Sequence, residues 1–268
     1  MNLKELYLDS QSRYFDAFMA AKKNSTLPSI SRDDYPVKKP DLAGAPWMKF
    51  ALYADDYVRE LCNAIELFRA DIHRLEGWSA VLPSVPNEVL PGIIEGSVLP
   101  LLVHTVTIPY GLKDRFIYCT ASLLHHSAQV LTGGVEDEWK DKSVRRQDYI
   151  KRFGKRAGDL SVDLHRFDSV LQRLCPDKSE IDELRNRIVH RLPPNVEYGS
   201  ATTLARIAFG NKVAYSFAGD PPLRIRDALP LLIVEHQTSM EVFGAFYAQL
   251  QQMIAGLENS TASGTAAE

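Results

Sequence analysis

Cysteine is scarce in this chain: Cys62, Cys119 and Cys175 stand alone among 268 residues, with no C-x-x-C pair and no histidine clustered beside them. That excludes a disulfide framework and a structural zinc site, and makes a reducing cytoplasm the expected setting. Neither sign of charge dominates, since 31 Lys and Arg stand against 34 Asp and Glu for a formal net charge of -3. A uniformly basic nucleic-acid coat is excluded, while a local basic patch is not. The 15 glycines form neither a P-loop nor a dinucleotide fingerprint, so nucleotide-cofactor chemistry is unsupported and no cofactor or metal is expected. Long apolar runs are missing as well. The most apolar stretch, "SVLPLLVHTVTIP", is too short to span a bilayer and carries prolines and a histidine. The first residues, "MNLKELYLDS", are amphipathic and contain acids, unlike a secretory signal. No internal repeat suggests a solenoid. The expectation is a soluble, unexported protein without a membrane partner.

What is present is enough for a core. With 45% hydrophobic and 24% charged residues, a chain of this length is not disordered and can bury one large domain or two small ones. Leu3, Leu6, Tyr7, Tyr14, Phe15 and Phe18 recur at helical spacing through Lys23. The segment 24–46, rich in Pro, Ser and Asp, then reads as a long surface loop. From Trp47 to Trp78 no proline occurs, and Leu52, Val58, Leu61, Ile65, Phe68 and Leu75 keep the helical period. Prolines at 83, 86, 91, 100 and 109 predict short pieces next, with one or two brief helices between Val89 and Thr105. A firmer helix is predicted over Leu112 to Leu131, stopping at Gly133-Gly134.

Two more helical segments are predicted near Val144 to Phe153 and Leu160 to Leu174, and another from about Lys178, with Asp177 or Ser179 as its N-cap, to just before Pro193. "TTLARIAFGNKVAYSFA" changes period. Its two β-branched and aromatic runs flank Gly210-Asn211, which suits a hairpin over about 202–218. A last helix is predicted from about Ala228 to Leu257, followed by a small, polar tail, 258–268, expected to be disordered. The predicted architecture is all-α: a helical bundle in a single domain over 1–257 with a small β-hairpin insertion.

The ten residues "ELRNRIVHRL", Glu183 to Leu192, concentrate the chemistry. At about 100° per residue, Leu184, Ile188 and Leu192 fall within roughly 60° of Ile181 and define a buried stripe. Arg185 falls inside it, where a guanidinium is costly unless paired, snorkelled to water or reserved for an anion; Asp182 is one available partner. Asn186 and His190, at i and i+4, share a face in an α-helix. Position 190 also lies in the last turn, where exposed carbonyls favour imidazolium. A proton-exchanging histidine beside an obligate cation and an amide meets the needs of metal-free RNA cleavage. The 2′-hydroxyl loses a proton as it attacks phosphorus, the 5′-oxygen gains one, and the phosphorane charge is held.

Arg185-Asn186-Arg187-Ile188-Val189-His190 resembles the R-[N/D/H]-x-x-x-H motif of HEPN domains (higher eukaryotes and prokaryotes nucleotide-binding). The resemblance covers one helix plus a compatible helical layout, and implies a helical bundle whose active cleft forms across a homodimer. It implies a metal-independent endoribonuclease of the kind found in toxin–antitoxin, phage-defence and CRISPR systems, with Arg185 and His190 catalytic and Asn186 supporting. An antitoxin or other regulatory protein is then a possible partner. The alternative is a non-catalytic module of the same fold that binds RNA, a nucleotide or a protein partner; a third reading is a helical scaffold with an accidental motif. The loop at 24–46 and the hairpin depart from the minimal bundle of that family.

A second constellation is "KDKSVRRQDYIKRFGKR", Lys140 to Arg156, with eight basic residues against two acids and with Tyr149 and Phe153 interleaved. Cations that follow a phosphate backbone and rings that stack on bases suit single-stranded RNA, which makes Arg145, Arg146, Lys151, Arg152, Lys155 and Arg156 candidate RNA-binding residues. The competing reading is a solvated helix face. His125-His126 read as structural or surface residues, since adjacent side chains on a helix diverge. Asp55-Asp56 read as exposed helix charge, with pairing to Arg185 or orientation of His190 the sharper alternative. Glu66 with Arg69, and Glu235 with His236, read as local surface pairs.

Overall fold

A computed structural model of the chain describes residues 2–37, 45–132, 160, 162–190, 195–199, 205–210, 212–216 and 221–264. The fold is an all-α helical bundle with, among the described residues, one β-hairpin. Helix α1 spans Leu3–Lys23 and starts at a capping box: the Asn2 side chain accepts from the Glu5 N–H at 2.9 Å, and the Glu5 carboxylate accepts from the Asn2 N–H at 2.8 Å. Helix α2 runs unbroken over Ala45–Val81. After α3, Leu90–Ile93, a π turn over Ile94–Val98 leads into α4, Leu99–Leu131. Helix α5 is Leu164–Arg173, α6 is Glu180–Arg185, and α7 is Ile225–Gly264.

The prolines of the 83–109 stretch do not chop it as their number predicts. Pro91 occupies the first turn of α3, where a missing N–H costs little, and Pro109 sits inside α4 without ending it. Val98, Leu102, Val106, Leu112 and Phe116 recur at helical spacing and are each at most 1% exposed. Burying each side chain stabilises by about 1.5–3 kcal/mol, so the stripe as a whole outweighs the roughly 3 kcal/mol cost of an interior proline. The apolar stretch expected to be too short for a bilayer is thus part of a 42-residue helical run, Leu90–Leu131, long and apolar enough to cross one by length and composition. The core helix of a globular protein passes the same test.

Two compact units make up the chain, with boundaries that fall inside α2, α4 and α7. The first comprises Met1–Pro28, Leu67–Pro109 and Cys175–His236. Its core holds Phe68, Ile72, Leu75 and Trp78 of α2 with Ile93, Val98 and Leu102, together with Ile181, Leu184, Ile188 and Leu232. Tyr14 stacks on Trp78 with centroids 4.1 Å apart, and a Cβ on Gly77 would sit 3.0 Å from the Phe18 backbone, so α1 approaches α2 where glycine leaves room. Also in this unit, a parallel bridge joins Val196 to Leu223, and the Glu197 carboxylate accepts from the Ile225 N–H at the start of α7 at 2.6 Å.

The second unit comprises Ser29–Glu66, Tyr110–Leu174 and Gln237–Glu268. Phe50, Val58, Leu61 and Ile65 of α2, Phe116 and Leu123 of α4, Phe167 and Leu171 of α5, and Phe243, Phe246 and Leu250 of α7 are its core. The region read as a surface loop is partly internal. Ile30 and Val37 are buried, Tyr35 packs edge-on against Phe243, and the Tyr247 hydroxyl donates to the Pro36 carbonyl at 2.7 Å. Gln249 donates to the Asp163 carbonyl at 3.0 Å, which fixes the entry to α5.

The hairpin forms as its period predicts. Strand β1, Ala205–Phe209, pairs antiparallel with β2, Lys212–Ser216, in the register Phe209↔Lys212, with Gly210 at the turn. Gly210 takes a φ of 55°, which only glycine adopts readily. Helix α7 continues to Gly264, past Leu257, so residues 258–264 are helical where a disordered tail was expected.

Candidate functional site

The Arg185–His190 segment lies in the first unit and begins with a capped helix. Ser179 is the N-cap of α6, its side chain accepting from the Asp182 N–H at 3.4 Å, and Glu180, Asp182 and Glu183 place acids in the first turn, where the helix dipole favours them. Ile181, Leu184 and Ile188 are buried as the stripe predicts, and Arg185, Asn186 and Arg187 are half-buried at its flank. Position 192 lies outside the described residues.

The helix does not stay α. From Asn186 to His190 the backbone is a π turn rather than an α turn. In an α-helix, positions 185 and 190 would stand about 140° apart around the axis. In a π turn the hydrogen-bonding step is five residues, which brings positions five apart roughly one above the other. The arginine and histidine positions of the motif therefore share a side of this helix through the local backbone. The side chain of His190 lies outside the described residues, as do the candidate RNA-binding residues Arg145, Arg146, Lys151, Arg152, Lys155 and Arg156 and the helix predicted near Val144 to Phe153.

The other candidates resolve into structural roles. Asp55 is ion-paired with Arg32 and Asp56 with Arg59, so each has a partner within the second unit. Glu66 accepts from the Ile30 N–H at 2.6 Å. His125 and His126 are buried, and His126 stacks on Tyr53 with centroids 4.6 Å apart. Glu235 and His236 are not a surface pair: both are buried, Glu235 accepting from the Cys175 N–H and His236 packing 5.9 Å from Phe68 between ring centroids. The stripe of α7 turns them inward because Leu232 and Ala228 precede them on the same buried side. Among the described residues, no three His, Cys, Asp or Glu side chains group to hold a metal ion.

One polar cluster in the first unit has no counterpart in the sequence reading. Asp71 on α2 is 1% exposed, and its carboxylate accepts from Arg74 Nη1 at 2.5 Å and from His104 Nδ1, on α4, at 2.8 Å. On the next turn of α2, His73 Nδ1 lies 2.9 Å from the Glu76 carboxylate. Asp71 and Arg74 stand at i and i+3, a visible spacing, but nothing in the sequence brings His104 to them.

Comparison with known proteins finds no protein-family model, no curated protein and no solved structure that matches this chain.

Proposed function

We propose that the chain is a metal-independent endoribonuclease of the HEPN type, with Arg185, Asn186 and His190 as its site. The observation that carries this reading is the π turn that starts directly after Arg185 and ends at His190, since π turns recur at functional sites and this one aligns the two positions the chemistry needs. In the proposed reaction, a 2′-hydroxyl attacks the adjacent phosphorus while His190 takes up its proton. The 5′-oxygen leaves with a proton, and Arg185 holds the negative charge that develops on the non-bridging oxygens. Asn186 orients the imidazole or a phosphate oxygen. One chain supplies one histidine to two proton transfers, so a homodimer that sets two motifs together is part of the proposal, with the basic segment 140–156 following the RNA backbone. The proposed setting is the cytoplasm, in a toxin–antitoxin or phage-defence role with a regulatory protein partner.

The test is to incubate the full chain, wild type and His190→Ala, with an RNA pool in chelator and to map the new ends. New 2′,3′-cyclic phosphate and 5′-hydroxyl ends with wild type alone are expected; equal cleavage by both proteins would sink the proposal. Salt-dependent binding of RNA that stays intact would favour the non-catalytic module instead.

A further inference from the structure

The Asp71 cluster is built like a ligand site, and it owes nothing to the motif on α6. A carboxylate that is almost fully buried is expensive to desolvate, and as a plain tether between helices it would be matched in stability by a well-packed apolar pair. Its two donors are not buried with it, since the side chains of His104 and Arg74 are 54% and 44% exposed. An ionised carboxylate only accepts, so His104 donates from Nδ1, which fixes the ring and leaves Nε2 on the side away from Asp71. Arg74 commits Nη1 to the same carboxylate and keeps donors on its other nitrogens.

We infer that Asp71, Arg74 and His104 form a binding site for the phosphate group of a phosphate monoester. Asp71 is a positioning residue that offsets the charge of Arg74 and holds both donors in place. The guanidinium takes two phosphate oxygens through its unused edge, the contact geometry for which arginine is suited. His104 Nε2 shares a single proton with a third oxygen: either the imidazole is protonated and donates, or a monohydrogen phosphate donates its P–O–H to the neutral ring. The contact closes from either side with one proton. Glu76, two residues beyond Arg74, is engaged by His73.

The experiment is calorimetric titration of inorganic phosphate into the full chain at low ionic strength. Saturable one-to-one binding is expected, weakened about tenfold or more by Arg74→Ala and by His104→Ala, as for loss of one charge-assisted contact each. His104→Gln is the second variant, since its amide can donate to Asp71 and preserve the fold while the relay at Nε2 is lost; it is expected to weaken binding equally. A nucleoside monophosphate titrated alongside should bind at least as tightly as the free ion if a monoester is the ligand. The proposal is overturned if wild type shows no saturable binding, if the ester is excluded, or if affinity falls with Arg185→Ala but survives Arg74→Ala and His104→Gln. That last pattern would place the phosphate at the α6 motif, so the two sites succeed or fail separately.

Discussion

The Glu235 carboxylate accepts a hydrogen bond from the Cys175 backbone N–H at 2.9 Å, and the Cys175 thiol lies 3.6 Å from the same oxygen, with both residues buried. Cys175 has a φ of 47°, a left-handed conformation that a side chain adopts at a cost. The chain turns sharply there, between α5 and α6, and Glu235 receives the N–H that the turn leaves inside. Glu235→Ala removes the acceptor of that buried N–H, and is expected to cost about 1–3 kcal/mol besides the lost packing. Glu235→Gln keeps a carbonyl oxygen at the end of the same stem and should cost less. The urea midpoint of each variant checks the order; equal losses would mean that the N–H contact contributes little.

Two glycines on helices should respond oppositely to alanine. At Gly77 the added Cβ would meet the Cα and N of Phe18 at 3.0 Å, and backbone atoms cannot swing aside. The helix would gain up to about 1 kcal/mol in propensity but lose about 1–3 kcal/mol to overpacking, so net destabilisation is expected. At Gly244, in the middle of α7, a Cβ meets nothing within 4 Å. There the propensity gain stands alone, and Gly244→Ala is expected to stabilise by roughly 0.5–1 kcal/mol. Thermal unfolding of the pair reads both signs, and a stabilising Gly77→Ala would show that α1 can withdraw from α2 at no cost.

Local rules were legible: Ser179, one of two candidates, caps α6, and the hairpin turns at Gly210, each because the deciding partners lie within a few residues. Pro109 misled, because a single residue advertises its cost while the buried stripe that offsets it spans five turns. Glu235 and His236 misled for a related reason. Their charge and polarity read as exposed, and the donor that justifies burying the Glu235 carboxylate is the N–H of a residue 60 positions earlier. His104 reaches Asp71 across 33 positions, a separation over which no spacing rule applies. At the α6 motif, the residue types were legible and the backbone was not, since hydrophobic periodicity cannot distinguish an α turn from a single π turn.

The buried thiols make a prediction about alkaline stability in which the sign is set by burial. Burial pushes the Cys119 thiol from its ordinary 9.0 up to about 12, against the opposing pull of the Arg115 charge, and pushes Cys62 up to about 11. A thiol whose folded value lies above its unfolded value gives up its proton first in the unfolded chain. Its contribution is therefore fully present below pH 9.0 and is lost as pH rises from there toward about 12 for Cys119. Within that window each such thiol removes about 1.4 kcal/mol of stability per pH unit. Lysines and tyrosines titrate in the same range, so the diagnostic quantity is a difference. The urea midpoint of wild type should fall more steeply between about pH 9.5 and 10.5 than that of Cys119→Ala, by one proton's worth of slope. Parallel slopes would mean that Cys119 meets solvent in the folded chain, and it would then react with iodoacetamide at pH 8 without denaturant, which the buried thiol is expected to resist.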